Sequence, residues 1–176
     1  MSGARQAILC LNAGSSSLKF TVWAVGLQGE DVRLISGAAE GIAQGEGVLL
    51  RKDGAGVKMS EQRDFDSHRE ALDAVQDLLA ASDLPPLDGA GHRIVHGGDR
   101  FPHHTLLSED VVAGLRELVP LAPLHLPPAL AVIEATARRW PQLPQSACFD
   151  TVFHSALPET ARRLPLGDGR RHPVLD

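Results

Sequence analysis

The sequence contains no tyrosine, and aromatic side chains make up only 4% of its 176 residues. It also carries little positive charge, because 17 lysine and arginine residues stand against 22 aspartate and glutamate residues, a formal net charge of −5. Nucleic-acid-binding proteins need cationic groups for the phosphates and often use aromatic rings for the bases. The composition therefore argues against a nucleic-acid partner.

Long apolar runs are absent as well. No run approaches the ~18 residues that a membrane-spanning helix requires, and residues 1–6 lack the basic start and apolar stretch of a signal peptide. We therefore expect a cytoplasmic protein with no membrane partner. The two cysteines, Cys10 and Cys148, have no C-x-x-C spacing, and both lie in apolar runs, which predicts buried, reduced thiols.

What the sequence does contain is a hydrophobic content of 43%, enough for one domain with a core of its own at this length. Alternating and apolar patterns predict strands at residues 7–11, 18–25, 91–95 and 145–149, with weaker signals at 32–41 and 47–59. Helices are predicted after the caps Ser67 and Ser108, and from Pro127 or Pro128 to about residue 139. This order of elements indicates an α/β or α+β domain.

A turn rich in small residues separates the first two predicted strands. Residues 12–17 read Asn-Ala-Gly-Ser-Ser-Ser, and Lys19 follows. Backbone N–H groups and the hydroxyls of Ser15 and Ser17 suit a phosphate of ATP, Lys19 adds a mobile positive charge, and Asn12 offers an oxygen toward hydrated Mg²⁺. A strand follows instead of a helix, so this is not a P-loop. The alternative is an ordinary serine-rich hairpin turn.

The segment His-Arg-Ile-Val-His at residues 92–96 lies on a predicted strand, so Arg93 and Val95 share one face. A guanidinium beside an apolar side chain suits a short carboxylate with an aliphatic tail. An arginine that pairs with a nearby acid for structural reasons is the alternative. The histidines here and at residues 103–104 lack a clustered third acid or cysteine, which disfavours a zinc site.

Two further positions complete the candidate set. His125 lies in the proline-rich segment at residues 121–128, where a restricted backbone would hold its ring in place to stabilise developing charge. A surface histidine in a helix-capping loop is the alternative. Asp150 follows the last predicted strand, where ligand sites of open α/β sheets tend to lie, and a plain turn or N-cap aspartate is the alternative there.

Four segments occur together in one order: LNAGSSSLKF, GHRIVHGG, LAPLHLPP and FDTVFH. They resemble the N-terminal half of acetate kinase, in the acetate and sugar kinase/Hsp70/actin superfamily. The resemblance implies an RNase H-like α/β fold, a mixed sheet with flanking helices that forms one lobe of a two-lobed kinase. Residues 1–158 correspond to this lobe, and residues 159–176 are interpreted as a truncated or altered tail leading toward a second lobe.

The resemblance implies the reaction ATP + acetate ⇌ ADP + acetyl phosphate, with Mg²⁺ as cofactor and a homodimer for the full-length family member. It also implies roles for the candidate residues. These are Asn12 at Mg²⁺, Lys19 at ATP, Arg93 at the substrate carboxylate and the transferring phosphate, Val95 and Leu124 around the acetyl methyl group, His125 in the same pocket, and Asp150 in catalysis.

A carboxylate substrate with a pKa of about 4 is already ionised at neutral pH, so it needs no general base. We therefore expect Asp150 to organise Mg²⁺, its waters or Arg93, while positioning and charge neutralisation supply most of the catalysis.

Leu126 stands where the family often has asparagine. Because the resemblance implies that the adenosine site lies in the second lobe, we expect the chain alone to be inactive. Propionate or butyrate kinase activity and a non-catalytic anion- or partner-binding module are the alternatives.

Overall fold

The structure is a computed structural model that describes residues 5–26, 31–154 and Pro158; the predicted tail at residues 159–176 lies outside this part. The strands are β1 (Gln6–Ala13), β2 (Ser17–Val25), β3 (Val32–Glu40), β4 (Val48–Asp53), β5 (Lys58–Gln62), β6 (Gly89–Ile94), β7 (Thr105–Leu106) and β8 (Gln145–Phe149). The helices are α1 (His68–Ala80), α2 (Glu109–Glu117), α3 (Leu126–Arg139) and α4 (Asp150–His154), with a 3-10 turn at Val119–Leu121. None of the described helices is long and apolar enough to cross a membrane.

The strands form one mixed sheet in the order β5-β4-β3-β2-β1-β6-β8-β7. The first five strands pair as antiparallel neighbours, whereas β6 runs parallel to β1, and β8 runs parallel to β6. The antiparallel start and the later helical connections confirm the α/β prediction. Because β1, β6 and β8 are parallel, their carboxyl ends meet at one edge of the sheet, which is where ligand sites of such sheets form.

The hydrophobic core lies between one face of the sheet and the helices α1 and α3, which contact β1, β2, β3 and β6. On β2, the residues Leu18, Phe20, Val22 and Ala24 are all buried, as the period-2 alternation of a strand requires. Burying a side chain of the larger apolar types contributes roughly 1.5–3 kcal/mol. The core therefore fixes which face of each strand points away from the helices.

The predicted caps position the helices. Ser67 Oγ accepts a hydrogen bond from the Glu70 backbone N–H at 3.3 Å, and Ser108 Oγ accepts one from the Val111 N–H at the same distance. Helix α3 begins at Leu126, one or two residues before the predicted start at Pro127 or Pro128, with both prolines in its first turn. Proline is tolerated there because the first N–H groups of a helix have no intrahelical partner.

The prediction that both cysteines are buried is wrong, because Cys10 and Cys148 are exposed. In β1, the core side chains are Leu9 and Leu11, and Cys10 between them points to the opposite face. Cys148 stands in the same relation to its buried neighbours in β8. The apolar runs suggested strands buried on both faces, whereas α1 and α3 cover one face.

Candidate functional site

Three polar side chains lie where the parallel strands end. Asn12 lies near the carboxyl end of β1, Arg93 near that of β6, and Asp150 directly after β8 as the first residue of α4. The strand order places these ends side by side. On β6, His92 and Ile94 are buried while Arg93 is exposed, so the guanidinium lies on the face that α1 and α3 leave open.

Arg93 links the other two side chains through hydrogen bonds. Its Nε–H donates to Asp150 Oδ1 at 3.0 Å, and Nη2 donates to Asp150 Oδ2 at 2.5 Å. Nη1 donates to Asn12 Oδ1 at 3.3 Å. A guanidinium has five N–H donors in a rigid plane. The three bonds fix that plane and leave two N–H groups for an incoming oxyanion.

The ion pair of Arg93 with Asp150 corresponds to the structural alternative raised from the sequence, and it also fits the expectation that Asp150 organises Arg93. The two side chains remain 48% and 31% exposed, and exposed ion pairs are worth about 0–1 kcal/mol. The pair therefore contributes little to folding. Its main effect is to hold a guanidinium in one orientation at an accessible position.

Lys19 joins the same site from β2. It lies opposite Asn12 in the antiparallel register of β1 and β2, and it is exposed. A groove of about 360 Å³ is lined by residues from β1, β2, β6 and β8, and these are Cys10, Leu11, Asn12, Lys19, Phe20, Thr21, Gly91, Arg93 and Cys148. We call it the strand-end groove. Two cationic side chains and an amide thus meet over an otherwise largely apolar floor.

The turn between β1 and β2 is held internally. The Gly14 N–H donates to the Ser17 carbonyl at 2.8 Å, and the Ile42 N–H donates to the Ser16 carbonyl at 3.0 Å. The Gly14 N–H is therefore already paired within the turn, so the predicted backbone contact with a phosphate does not extend to this N–H. Ser15 is exposed and Ser17 is half-buried. Contact of these two hydroxyls with a phosphate stays a prediction.

His68, the first residue of α1, fixes this turn. Its Nε2 lies 2.6 Å from the Gly14 carbonyl oxygen, so the ring donates across 54 residues of chain. The contact ties the first residue of α1 to the turn that precedes Lys19. A long-range bond of this kind has no local sequence signal.

His92 lies on the buried face, away from the groove. Its Nε2 donates to Gln145 Oε1 at 2.7 Å, and the side chain has 2% exposure. Burial lowers the pKa of His92 to about 4, against a smaller opposing effect of the hydrogen bond with Gln145. The imidazole is therefore neutral at pH 7 and serves as a core residue. In the open groove, partial burial of the Cys10 thiol within an otherwise exposed residue raises its pKa, and the neighbouring Cys148 raises it further.

Two of the other histidines accept hydrogen bonds from backbone N–H groups. His96 Nδ1 accepts a hydrogen bond from the Gly98 N–H at 2.8 Å, and His104 Nδ1 accepts one from the Phe149 N–H at 3.2 Å. Within residues 5–26 and 31–154, no three histidine, cysteine or acidic side chains are grouped as a metal site requires. The second bond is useful to the site because it fixes the residue just before Asp150.

Thr151, the residue just after Asp150, is also held in place. Thr151 is buried, and its Oγ1 accepts a hydrogen bond from the Gly97 N–H at 3.3 Å. Gly98, the next residue, has φ of +54° and lies against the Leu118 side chain, a conformation that favours glycine. Asp150 is thus held from both sides, and because both bonds join residues distant in the chain, neither has a local sequence signal.

Val95, Leu124 and His125 do not line the strand-end groove. Val95 follows the end of β6 and is half-buried, while Leu124 is 71% exposed. His125 is the N-cap residue of α3, and its side chain makes no capping hydrogen bond. The structure brings Asn12 and Lys19 together with Arg93 and Asp150, and the substrate roles of Val95, Leu124 and His125 stay predictions.

Comparison with known proteins identifies close relatives. The family model described as the Acetokinase family matches residues 7–169. The acetate kinase of Sulfurovum sp. is 40% identical over 163 residues, which cover 90% of this chain and 40% of the relative. The acetate kinase of Shewanella woodyi is 42% identical over 158 residues, which cover 88% and 39%. The chain therefore spans about two-fifths of the length of these relatives.

Solved structures share the fold. The crystal structure of Porphyromonas gingivalis acetate kinase superposes with a TM-score of 0.81 at 29% identity, over 92% of this chain and 41% of that one. A propionate kinase from Francisella tularensis gives 0.77 at 30% identity over the same shares. These similarities confirm the resemblance to acetate kinase and the mixed α/β fold class drawn from the sequence.

Proposed function

The chain belongs to the acetokinase family, and from this premise we propose that it forms the phosphate- and carboxylate-binding part of a kinase that transfers the terminal phosphoryl group of ATP to acetate. A carboxylate oxygen bonds to the terminal phosphorus, the bond to the ADP oxygen breaks, and acetyl phosphate and ADP form reversibly. The observation that carries the proposal is Arg93, held by Asp150 and Asn12 at a groove that Lys19 also lines.

The main chemical task is to bring two anions together. Arg93 and Lys19 supply positive charge where a carboxylate and a phosphoryl group would meet, and Arg93 retains two N–H donors beyond its three bonds. Acetate is ionised at neutral pH, so Asp150 acts as a positioning residue for the guanidinium and takes no proton. Positioning and charge neutralisation of this kind account for most of the catalysis in phosphoryl transfer.

The oxygen donors here also fit Mg²⁺, which binds through one or two carboxylates, waters and substrate phosphates. Asp150 has lone pairs beyond those that accept from Arg93, and Asn12 Oδ1 has a second one. Both residues can therefore contact the hydration shell of the ion without releasing Arg93. The chemistry that Mg²⁺ supplies when bound is neutralisation of phosphate charge.

We assign this activity to a protein of the relatives' full length, as a cytoplasmic homodimer, and propose that the 176-residue chain alone does not turn over. The strand-end groove is open, and the chain spans about two-fifths of the relatives' length. Propionate is the second candidate substrate, because a solved propionate kinase has nearly the same fold similarity as an acetate kinase. Full-length protein assayed with acetate, propionate and butyrate would separate these substrates.

The test on the chain itself is anion binding. Calorimetric titration with acetyl phosphate is expected to show binding that Arg93→Gln weakens at least about tenfold, or ~1.4 kcal/mol. Arg116→Gln is the matched control, because Arg116 also forms a half-exposed ion pair, with Glu134 at 2.7 Å, but lies on α2. Equal affinities of the two variants would contradict the role of Arg93. Hydroxamate formation from ATP and acetate by the chain at kinase rates would contradict its inactivity.

A further inference from the structure

Two thiols from separate strands line the strand-end groove beside its cationic side chains. Cys10 of β1 and Cys148 of β8 are both exposed, and both contribute to the same wall as Lys19 and Arg93. The strand between them, β6, carries Gly91 at this level, opposite Cys10 in the register. Cys148 lies opposite Arg93 of β6, so the two thiols are on either side of β6 and two positions apart along it.

The two thiols cannot protect each other as an internal disulfide. β1 and β8 lie on either side of β6, and neighbouring strands are about 4.8 Å apart. The two Cα atoms are therefore roughly 10 Å apart or more, whereas a disulfide requires less than about 7 Å. Each thiol is thus left to react with small molecules that enter the groove.

Charge in the groove favours one class of such molecules. Cys148 is the register partner of Arg93 in the parallel pairing of β6 and β8, and both side chains line the groove. A cationic groove raises the encounter rate of anionic reagents with a thiol that lies beside the cation. Cys10 pairs with Thr21 and Gly91 instead, so it lacks a charged register partner.

We propose that the strand-end groove is a thiol-modification site, in which Cys148 forms a mixed disulfide with small anionic disulfides. The Cys148 thiolate attacks one sulfur of the disulfide, a new S–S bond forms, and the original S–S bond breaks. The leaving thiolate carries away the electron pair, and the cysteine proton passes to solvent. The bound half-molecule then occupies the groove beside Arg93.

The test compares two reagents on the purified chain. Dithionitrobenzoate is a dianionic disulfide and dithiodipyridine is an uncharged one; released thiol is followed by absorbance, and the modified cysteine is identified by peptide mass. Cys148→Ser is expected to remove the faster phase with the anionic reagent, whereas Cys10→Ser keeps it. Arg93→Gln is expected to slow the anionic reagent on the order of tenfold and to leave the uncharged reagent nearly unchanged.

Arg116→Gln is the charge-matched control, and thermal denaturation of every variant verifies its fold. A fast phase that survives in Cys148→Ser, or an equal slowing by Arg116→Gln and Arg93→Gln, would overturn the proposal. If a phosphate binds beside Arg93, as the proposed function states, the adduct and the phosphate exclude each other from the groove. Slower dithionitrobenzoate reaction in the presence of acetyl phosphate would support this exclusion. Peptide mapping uses no ATP, acetate or phosphate, so a failure of the thiol-modification proposal can be distinguished from a failure of the proposed kinase function.

Discussion

Acidification is expected to destabilise this fold through His92. The pKa of the buried ring is about 4 in the folded chain, against an ordinary value of 6.5. Between these pH values the unfolded chain binds more protons than the folded one. The stability that depends on a neutral His92 is therefore fully present above pH 6.5 and is lost as the pH falls toward 4. A difference of about 2.5 between the two pKa values corresponds to roughly 3 kcal/mol.

A loss of this size is a large part of the 5–15 kcal/mol typical of a domain. The measurement is guanidinium denaturation, followed by tryptophan fluorescence at about pH 7 and about pH 4.5, for the parent chain and for His92→Gln. The variant cannot gain a proton at this position and retains an N–H donor for Gln145. It is expected to lose roughly 2–3 kcal/mol less than the parent between the two pH values.

His103→Gln serves as the control, because His103 is exposed and its replacement changes no buried contact. An equal pH dependence of the parent and His92→Gln would refute the reasoning. Proton NMR of the parent gives a second measurement that does not depend on a variant. Titration of the His92 ring near its ordinary pKa would refute the reasoning in the same way.

Two further predictions concern backbone packing and can be measured by the same denaturation assay. Gly37→Ala is expected to cost about 1–3 kcal/mol or more, because a Cβ there would lie 2.1 Å from the Leu50 carbonyl oxygen. Gly91→Ala serves as the tolerated control, because its Cβ would come no nearer than 3.7 Å to another side chain. Equal losses of stability in the two variants would contradict this prediction. Thr151→Val is expected to cost about 1–3 kcal/mol, because it leaves the Gly97 N–H without its acceptor, and a variant as stable as the parent would show that this bond does not hold the loop.

Patterns of local spacing predicted β1, β2, β6 and β8 and the helices α1, α2 and α3, whereas β7 and α4 were not predicted. The alternation of Leu18 to Ala24 in β2 identified the buried face because every second side chain must point the same way. The caps Ser67 and Ser108 identified helix starts because their hydroxyls satisfy N–H groups that the helix cannot. Such signals act over a few residues, so they can be read from the chain alone.

The two cysteines show what local patterns do not determine. An apolar run predicts a strand, but whether one face or both are covered depends on helices distant in the chain. The same holds for the site. Arg93 was identified on a predicted strand and Asp150 just after another, yet their pairing across 57 residues depends on β8 lying beside β6. The bond from His68 to Gly14 depends on the same kind of long-range placement and has no local pattern.

The electrostatics of the strand-end groove explain how one arginine can be both paired and available. Lys19 and Arg93 against Asp150 leave the site locally positive in a chain whose formal net charge is −5, so an approaching anion is attracted there. Because the Arg93–Asp150 pair is largely solvated, sharing the guanidinium with an oxyanion costs the fold little. An ion pair buried in the core would resist that exchange, since removing a partner there leaves an uncompensated charge. The half-exposed pair thus keeps Arg93 oriented before an anion arrives and lets it bind that anion without loss of the surrounding structure.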